Sequence, residues 1–266
     1  MRINLRKSLF ILPNLFTLSS IFCGFYAILL GAQDGAGPER FYQAALLIIF
    51  AMFFDGIDGR VARLTRTQSA FGVQIDSLAD VVSFGAAPAV LVYRWSLESL
   101  GTLGLLGAFT FTACGAIRLA RFNVLSTSRD GTPQKPGKYI AGLPIPGAAA
   151  LLVSLVAANH AVGGALSQAP ILILSIVVLL SVFMVSGIRF RSFKDLRLNA
   201  RTYFLLAFAV GSSVFLAIRL HSAFAVAWLL ISYVAIGLVE ASLSAMRRLR
   251  ERRRNLPEDD EQVVDS

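Results

Sequence analysis

The chain has 266 residues, of which 56% are hydrophobic and only 15% charged, with a mean hydropathy of +0.67. Soluble domains are charged at about a quarter of their positions, so this composition excludes a disordered chain, a disulfide scaffold and an ordinary soluble enzyme, and leaves an integral membrane protein. A formal charge of +9 on so apolar a chain has three possible uses: binding nucleic acid, binding anionic lipid, or setting membrane topology.

Eight apolar segments follow in chain order, at about 9–31, 41–61, 73–94, 101–120, 143–163, 169–188, 203–220 and 223–245. Each is close to the roughly 20 residues that cross a bilayer as a helix. Helices are the default there because lipid offers the backbone no hydrogen-bond partners. The first run is too long for the apolar core of a cleavable signal, so none is expected. Cys23 and Cys114 lie in apolar runs without CxxC spacing. They read as small buried residues rather than a disulfide or metal framework.

The basic residues test this count. With both termini inside, the inner pieces hold 22 of the 25 Lys and Arg, and the outer pieces hold only Arg40, Arg94 and Arg219. One missed span would scramble every later loop, so the positive-inside rule supports eight helices with both ends cytoplasmic. The expected fold is therefore an all-α integral membrane bundle over residues 1–246, followed by a charged, partly disordered cytoplasmic tail at 247–266. No folded soluble domain carries the basic charge, which argues against nucleic acid. Facing inward, that charge suits anionic lipids.

Four carboxylates are out of place in this scheme. Asp55 and Asp58 stand near the inner end of the second segment, and Asp76 and Asp80 near the start of the third. Ionisable groups at membrane depth are costly and usually functional. The spacings i, i+3 and i, i+4 put each pair on one helical face. Two antiparallel neighbours joined by the 63–70 loop could gather all four. Clustered anions repel, and their natural partners are Mg²⁺ or Mn²⁺. Two such ions held by shared carboxylates are the usual clamp for phosphoryl displacement. The competing reading is ion pairing with Arg60, Arg63 and Arg66. Against it, Gly59, Ala62 and Gly72 are small residues that let a bulky ligand approach the backbone, and Arg63 offers a forked phosphate donor. Glu240, alone in the last segment, reads as structural. His160 and His221 lack ligand spacing and receive no role.

The run Asp55-x2-Asp58-Gly59-x2-Ala62-Arg63-x8-Gly72-x3-Asp76-x3-Asp80 resembles the signature of the CDP-alcohol phosphotransferase family at every fixed position. The resemblance implies a homodimeric membrane enzyme that moves a phosphatidyl-type group from a CDP-linked lipid to an alcohol and releases CMP. It implies that Asp55, Asp58, Asp76 and Asp80 hold two Mg²⁺ or Mn²⁺ ions and that Asp80 is the general base. Asp58, Gly59, Ala62 and Arg63 would meet the CDP moiety, with Gly72 in the same site and Ser69 in reach of a phosphate. Asn14 and Thr17, within Pro13-Asn14-Leu15-Phe16-Thr17, would reach the nucleotide from the first helix.

Other stretches are similar to the phosphatidylserine synthase branch of that family. They are Asp76-Ser77-Leu78-Ala79-Asp80-Val81-Val82-Ser83-Phe84-Gly85, Ile117-Arg118-Leu119-Ala120-Arg121-Phe122-Asn123, Gly142-Leu143-Pro144-Ile145-Pro146 and the opening Leu12–Ala27. The implied substrates are CDP-diacylglycerol and L-serine, at the cytoplasmic face of a bacterial-type inner membrane. A serine carboxylate calls for a bidentate Arg, which Arg118 or Arg121 could supply, with Asn123 beside them. The alternatives are synthases of phosphatidylglycerol phosphate or phosphatidylinositol phosphate. A more distant one is an ion-coupled transporter, which would need polar groups through the midplane.

Overall fold

The computed structural model describes residues 5–65, 67, 69–126, 139–161, 164–187, 189–191, 213 and 232. Six of the eight expected segments fall on these residues, and each is helical. The helices are α1 (Leu5–Ala32), α2 (Pro38–Leu64), α3 (Ala70–Asp80), α4 (Ala87–Trp95), α5 (Thr102–Ser126), α6 (Ile145–Ala161) and α7 (Pro170–Val185). One π turn, Val81–Ala86, joins α3 to α4 in a single rod. The segments at 203–220 and 223–245, with Glu240 and His221, lie outside the described residues except for Ser213 and Ser232. So does the tail.

Among the described residues, three stretches are long and apolar enough to cross a membrane: Pro13–Ala32, Ala70–Trp95 and Thr102–Leu125. The helix α2 has 27 residues, or about 40 Å at 1.5 Å per residue, and carries Asp55 and Asp58 toward its C-terminal end. Both α6 and α7 are shorter than expected, at 17 and 16 residues. Backbone pairing flanks their facing ends. Leu143 N–H donates to the Phe183 carbonyl at 3.0 Å. Beyond it, β1 (Tyr139–Ala141) pairs antiparallel with β2 (Arg189–Arg191). That strand pair departs from the all-α expectation. The turn between it and α6 needs Gly142, whose φ is +77° and whose Cα faces the Met184 carbonyl. A side chain there would be strained and would strike that oxygen.

Local chemistry explains the helix limits. Pro38 occupies the first turn of α2, where its missing N–H costs nothing. Glu39 beside it suits the positive helix end. Ser69 caps α3 by accepting from Gly72 N–H at 3.0 Å. Small residues then let the rods approach closely. On α2, Ala44, Ala45, Ile48 and Ala51 form one fully buried stripe. On α1, a Cβ at Gly24 would stand 2.7 Å from Ser83 Cα. Ser83 Oγ donates to the Ser20 carbonyl at 2.9 Å in the same seam. In lipid, such close contact and hydrogen bonding replace the hydrophobic drive between helices. Gly24→Leu should therefore destabilise the protein by about 1–3 kcal/mol through overpacking. Thermal unfolding in detergent would check this, and an unchanged midpoint would contradict it.

The outward surface is apolar. Phe22, Phe53, Phe71, Phe109 and Ile171 are all more than half exposed, as lipid-facing residues are and as a soluble monomer's seldom are in such numbers. The up-and-down course collects the polar groups at two ends. At one end Arg94 pairs with Glu98 and Asp34, and His160 pairs with Glu39 at 3.0 Å. His160 also stacks on Tyr42, with centroids 4.6 Å apart. It thus joins α6 to α2, a role its isolated position in the sequence did not suggest. The four aspartates lie toward the other end.

Candidate active site

The C-terminal end of α2 and the second half of α3 both pack on α1, and their carboxylates converge as the spacings require. One carboxylate oxygen each from Asp55, Asp58 and Asp76 can be chosen so that all lie within 4.8 Å of one another. Asp80 joins them by meeting the Asp55 carboxyl group. Its Oδ1 is buried with no hydrogen-bond partner among the described residues. Asp58 is 5% exposed.

Acidic oxygens held this close repel unless positive charge lies among them. The ion-pair reading would place that charge on arginine. Among the described residues, no ion pair joins any of the four aspartates to Arg60 or Arg63, and Arg66 lies outside those residues. The donor set is hard oxygen only, with no His or Cys, which suits Mg²⁺ or Mn²⁺ rather than a softer ion. The orphaned Asp80 Oδ1 is a further open ligand atom. The residues therefore fit a divalent cation.

The first helix contributes a contact to the acidic cluster. Thr17 Oγ1 donates to Asp58 Oδ2 at 2.6 Å and also contacts the Pro13 carbonyl at 3.2 Å. Thr17 thus holds a carboxylate in place, one helical turn from the half-buried Asn14. Nothing in the spacing of positions 17 and 58 announces that bond, which depends on the packing of α1 against α2. Arg63 folds back over Gly59, where a Cβ would stand 3.5 Å from a guanidinium nitrogen, and its charge acts on Asp58. Gly59 and Ala62 line the same turn of α2. Ser69 is engaged as the cap of α3 through its oxygen, so its hydroxyl proton remains available to an acceptor such as phosphate.

The two arginines of α5 part company. Arg118 is 8% exposed, and its charge acts on Asp80. Arg121 is exposed and reaches the Val185 carbonyl at 3.4 Å, at the end of α7. The structure thus brings Arg118 to the aspartates and leaves Arg121 as a tie to the α7 terminus. Asn123 Nδ2 donates to Ser77 Oγ at 2.8 Å, which links the C-terminal end of α5 to α3. Just past Asp80, the rod changes to the π turn, a feature frequent at functional sites. Thr112 Oγ1 on α5 donates to the Gly85 carbonyl within that turn at 3.2 Å.

Comparison with known proteins agrees with this geometry. The family described as CDP-alcohol phosphatidyltransferase matches residues 10–184, which include all four aspartates and Arg118. The CDP-diacylglycerol–serine O-phosphatidyltransferase of Helicobacter pylori is 41% identical over 198 residues, covering 74% of this chain and 79% of that protein. Proteins of the same name from Bacillus subtilis and Methanocaldococcus jannaschii are 34% and 43% identical. They align over 69% and 52% of this chain and over 91% and 56% of their own lengths. With its acidic cluster set among apolar helices and its sequence matched across most of its described length, the chain belongs to the CDP-alcohol phosphatidyltransferase family.

Proposed function

We propose that this protein transfers the phosphatidyl group of CDP-diacylglycerol to the hydroxyl of L-serine, giving phosphatidylserine and CMP. The observation that carries the reading is the convergence of Asp55, Asp58, Asp76 and Asp80 with Arg118 beside Asp80. The names of the relatives point the same way. Asp55, Asp58, Asp76 and Asp80 would hold two Mg²⁺ or Mn²⁺ ions. When bound, these supply charge neutralisation for the diphosphate and for departing CMP.

The remaining work falls to the chain's own residues. Asp80 takes the proton from the serine hydroxyl as its oxygen forms a bond to the phosphorus that carries diacylglycerol. The bond from that phosphorus to the CMP oxygen breaks, and CMP leaves with the electron pair. Thr17 keeps Asp58 oriented. Arg63, Ser69 and the small residues Gly59, Ala62 and Gly72 border the space for the CDP group, with Asn14 above it on α1. Arg118 receives the serine carboxylate, and Asn123 stands beside it. Arg121, tied to the Val185 carbonyl, is the weaker partner for serine.

The rest of the reading concerns setting. The protein works as a homodimer in a bacterial-type inner membrane, with the site at the cytoplasmic face among anionic lipids. A bundle of about eight helices over 1–246 and a tail at 247–266 complete it. An acceptor panel tests the chemistry. Purified protein with CDP-diacylglycerol and Mg²⁺ or Mn²⁺ should release CMP with L-serine, and far less with glycerol 3-phosphate or inositol phosphate. Faster release with either phosphorylated acceptor would move the protein to another branch of the family.

A further inference from the structure

The mechanism leaves Ser77 unused, although it sits between Asp76 and Asp80. Two of the stretches that resemble the serine-using branch, 76–85 and 117–123, come from helices separated by the whole α4 rod and its turn. The side-chain hydrogen bond from Asn123 Nδ2 to Ser77 Oγ, at 2.8 Å, joins them. Ser77 Oγ in turn donates to the Val73 carbonyl at 3.0 Å, one turn back on α3. Its proton is therefore committed, and its lone pair faces Asn123 as an acceptor. This fixes which end of the Asn123 amide points at α3.

The packing gives that bond leverage. α5 packs along the π turn and α4 rather than along α3. At the level of the aspartates, the Ser77–Asn123 bond is thus a cross-tie between rods that contact each other mainly deeper in the bundle. Arg118, five residues before Asn123 on α5, has its charge on Asp80, three residues after Ser77 on α3.

We infer that Ser77 is a positioning residue for acceptor specificity: through its hydrogen bond to Asn123 it sets the C-terminal end of α5, and with it Arg118, against the aspartates of α3. This deepens the serine reading and rests on it. Ser77 touches neither reacting atom. Its loss should weaken capture of the acceptor and spare the CDP-lipid, whose proposed contacts lie on α1, α2 and the start of α3.

The test is steady-state CMP release by purified Ser77→Ala, Ser77→Thr, Asn123→Ala and the Ser77→Ala/Asn123→Ala double variant. One deleted hydrogen bond should raise KM for L-serine about 3- to 10-fold in Ser77→Ala. KM for CDP-diacylglycerol and the thermal midpoint should stay at wild-type values. Ser77→Thr keeps the oxygen and should restore KM for serine. The double variant should be no worse than Asn123→Ala, since both remove the same bond. An unchanged KM for serine, an equal rise in both KM values, a fall in the thermal midpoint with no KM split, or additive single effects would each overturn the inference. Wild-type protein that releases no CMP on adding serine would overturn the serine reading itself and this inference with it. A wild type that uses serine alongside an unaffected Ser77→Ala would overturn the inference alone.

Discussion

Purified Asp80→Asn protein is expected to lose about 10²- to 10⁴-fold in turnover with CDP-diacylglycerol and serine, the range that a positioned general base contributes. The substitution is nearly isosteric and keeps one oxygen, so the fold should survive it. Asp80 meets Asp55, lies under the charge of Arg118, and turns a buried Oδ1 toward no donor among the described residues. That atom needs a cation or a proton, and an amide can serve neither need well. Asp80 holds two proposed roles, and a metal titration of the variant separates them. If Asp80 only ligates metal, excess Mn²⁺ should restore much of the rate. If it also takes the serine proton, the rate should stay low at saturating metal. Near-normal turnover in Asp80→Asn would remove Asp80 from both roles.

The parts of this site that were legible in the sequence are those governed by helical periodicity. The i, i+3 and i, i+4 spacings of Asp55, Asp58, Asp76 and Asp80 carry their own geometry, so two antiparallel helices suffice to bring them together. The bonds that orient them are tertiary. Thr17 meets Asp58 across 41 positions, and Ser77 meets Asn123 across 46. Hydroxyl and amide groups are common in helices, and no local signal says which will face which. The π turn after Asp80 was equally hidden. A contiguous apolar run from 73 to 94 reads as one α-helix, and the inserted residue shows only once α1 and α5 press on it at Ser83 and Gly85. The end of α7 shows the same limit. Hydropathy carries the run on to 188, but the helix stops at Val185, where Ser186 leaves the helical conformation, and the chain pairs from Arg189 with the segment before α6. Arg118 and Arg121 looked equivalent as acceptor ligands, three residues apart near a helix end. Burial distinguishes them, since Arg118 is buried with its charge acting on Asp80, while Arg121 is exposed and bonded to the α7 terminus.

Metal binding should be measurable without turnover. In detergent, Mg²⁺ or Mn²⁺ at 100 times its dissociation constant should stabilise the native protein by about 2.7 kcal/mol, which is several degrees in unfolding midpoint for a chain of this size. Chelation should reverse the shift and stop CMP release together. The carboxylates of Asp55 and Asp76 come from different helices and, with Asp58, meet within 4.8 Å. Asp55→Asn and Asp76→Asn should therefore each abolish most of the shift. Both should also raise the midpoint measured without metal, because each removes one of the mutually repelling anions. Glu39→Gln, at the far end of α2 where Glu39 meets His160, should leave the metal shift intact. That opposite pair of effects, a more stable apo protein that no longer responds to the ion, distinguishes a cation site from a set of structural acids. Aspartate variants that lose stability in both conditions would return the cluster to a structural role, and the two-ion chemistry with it.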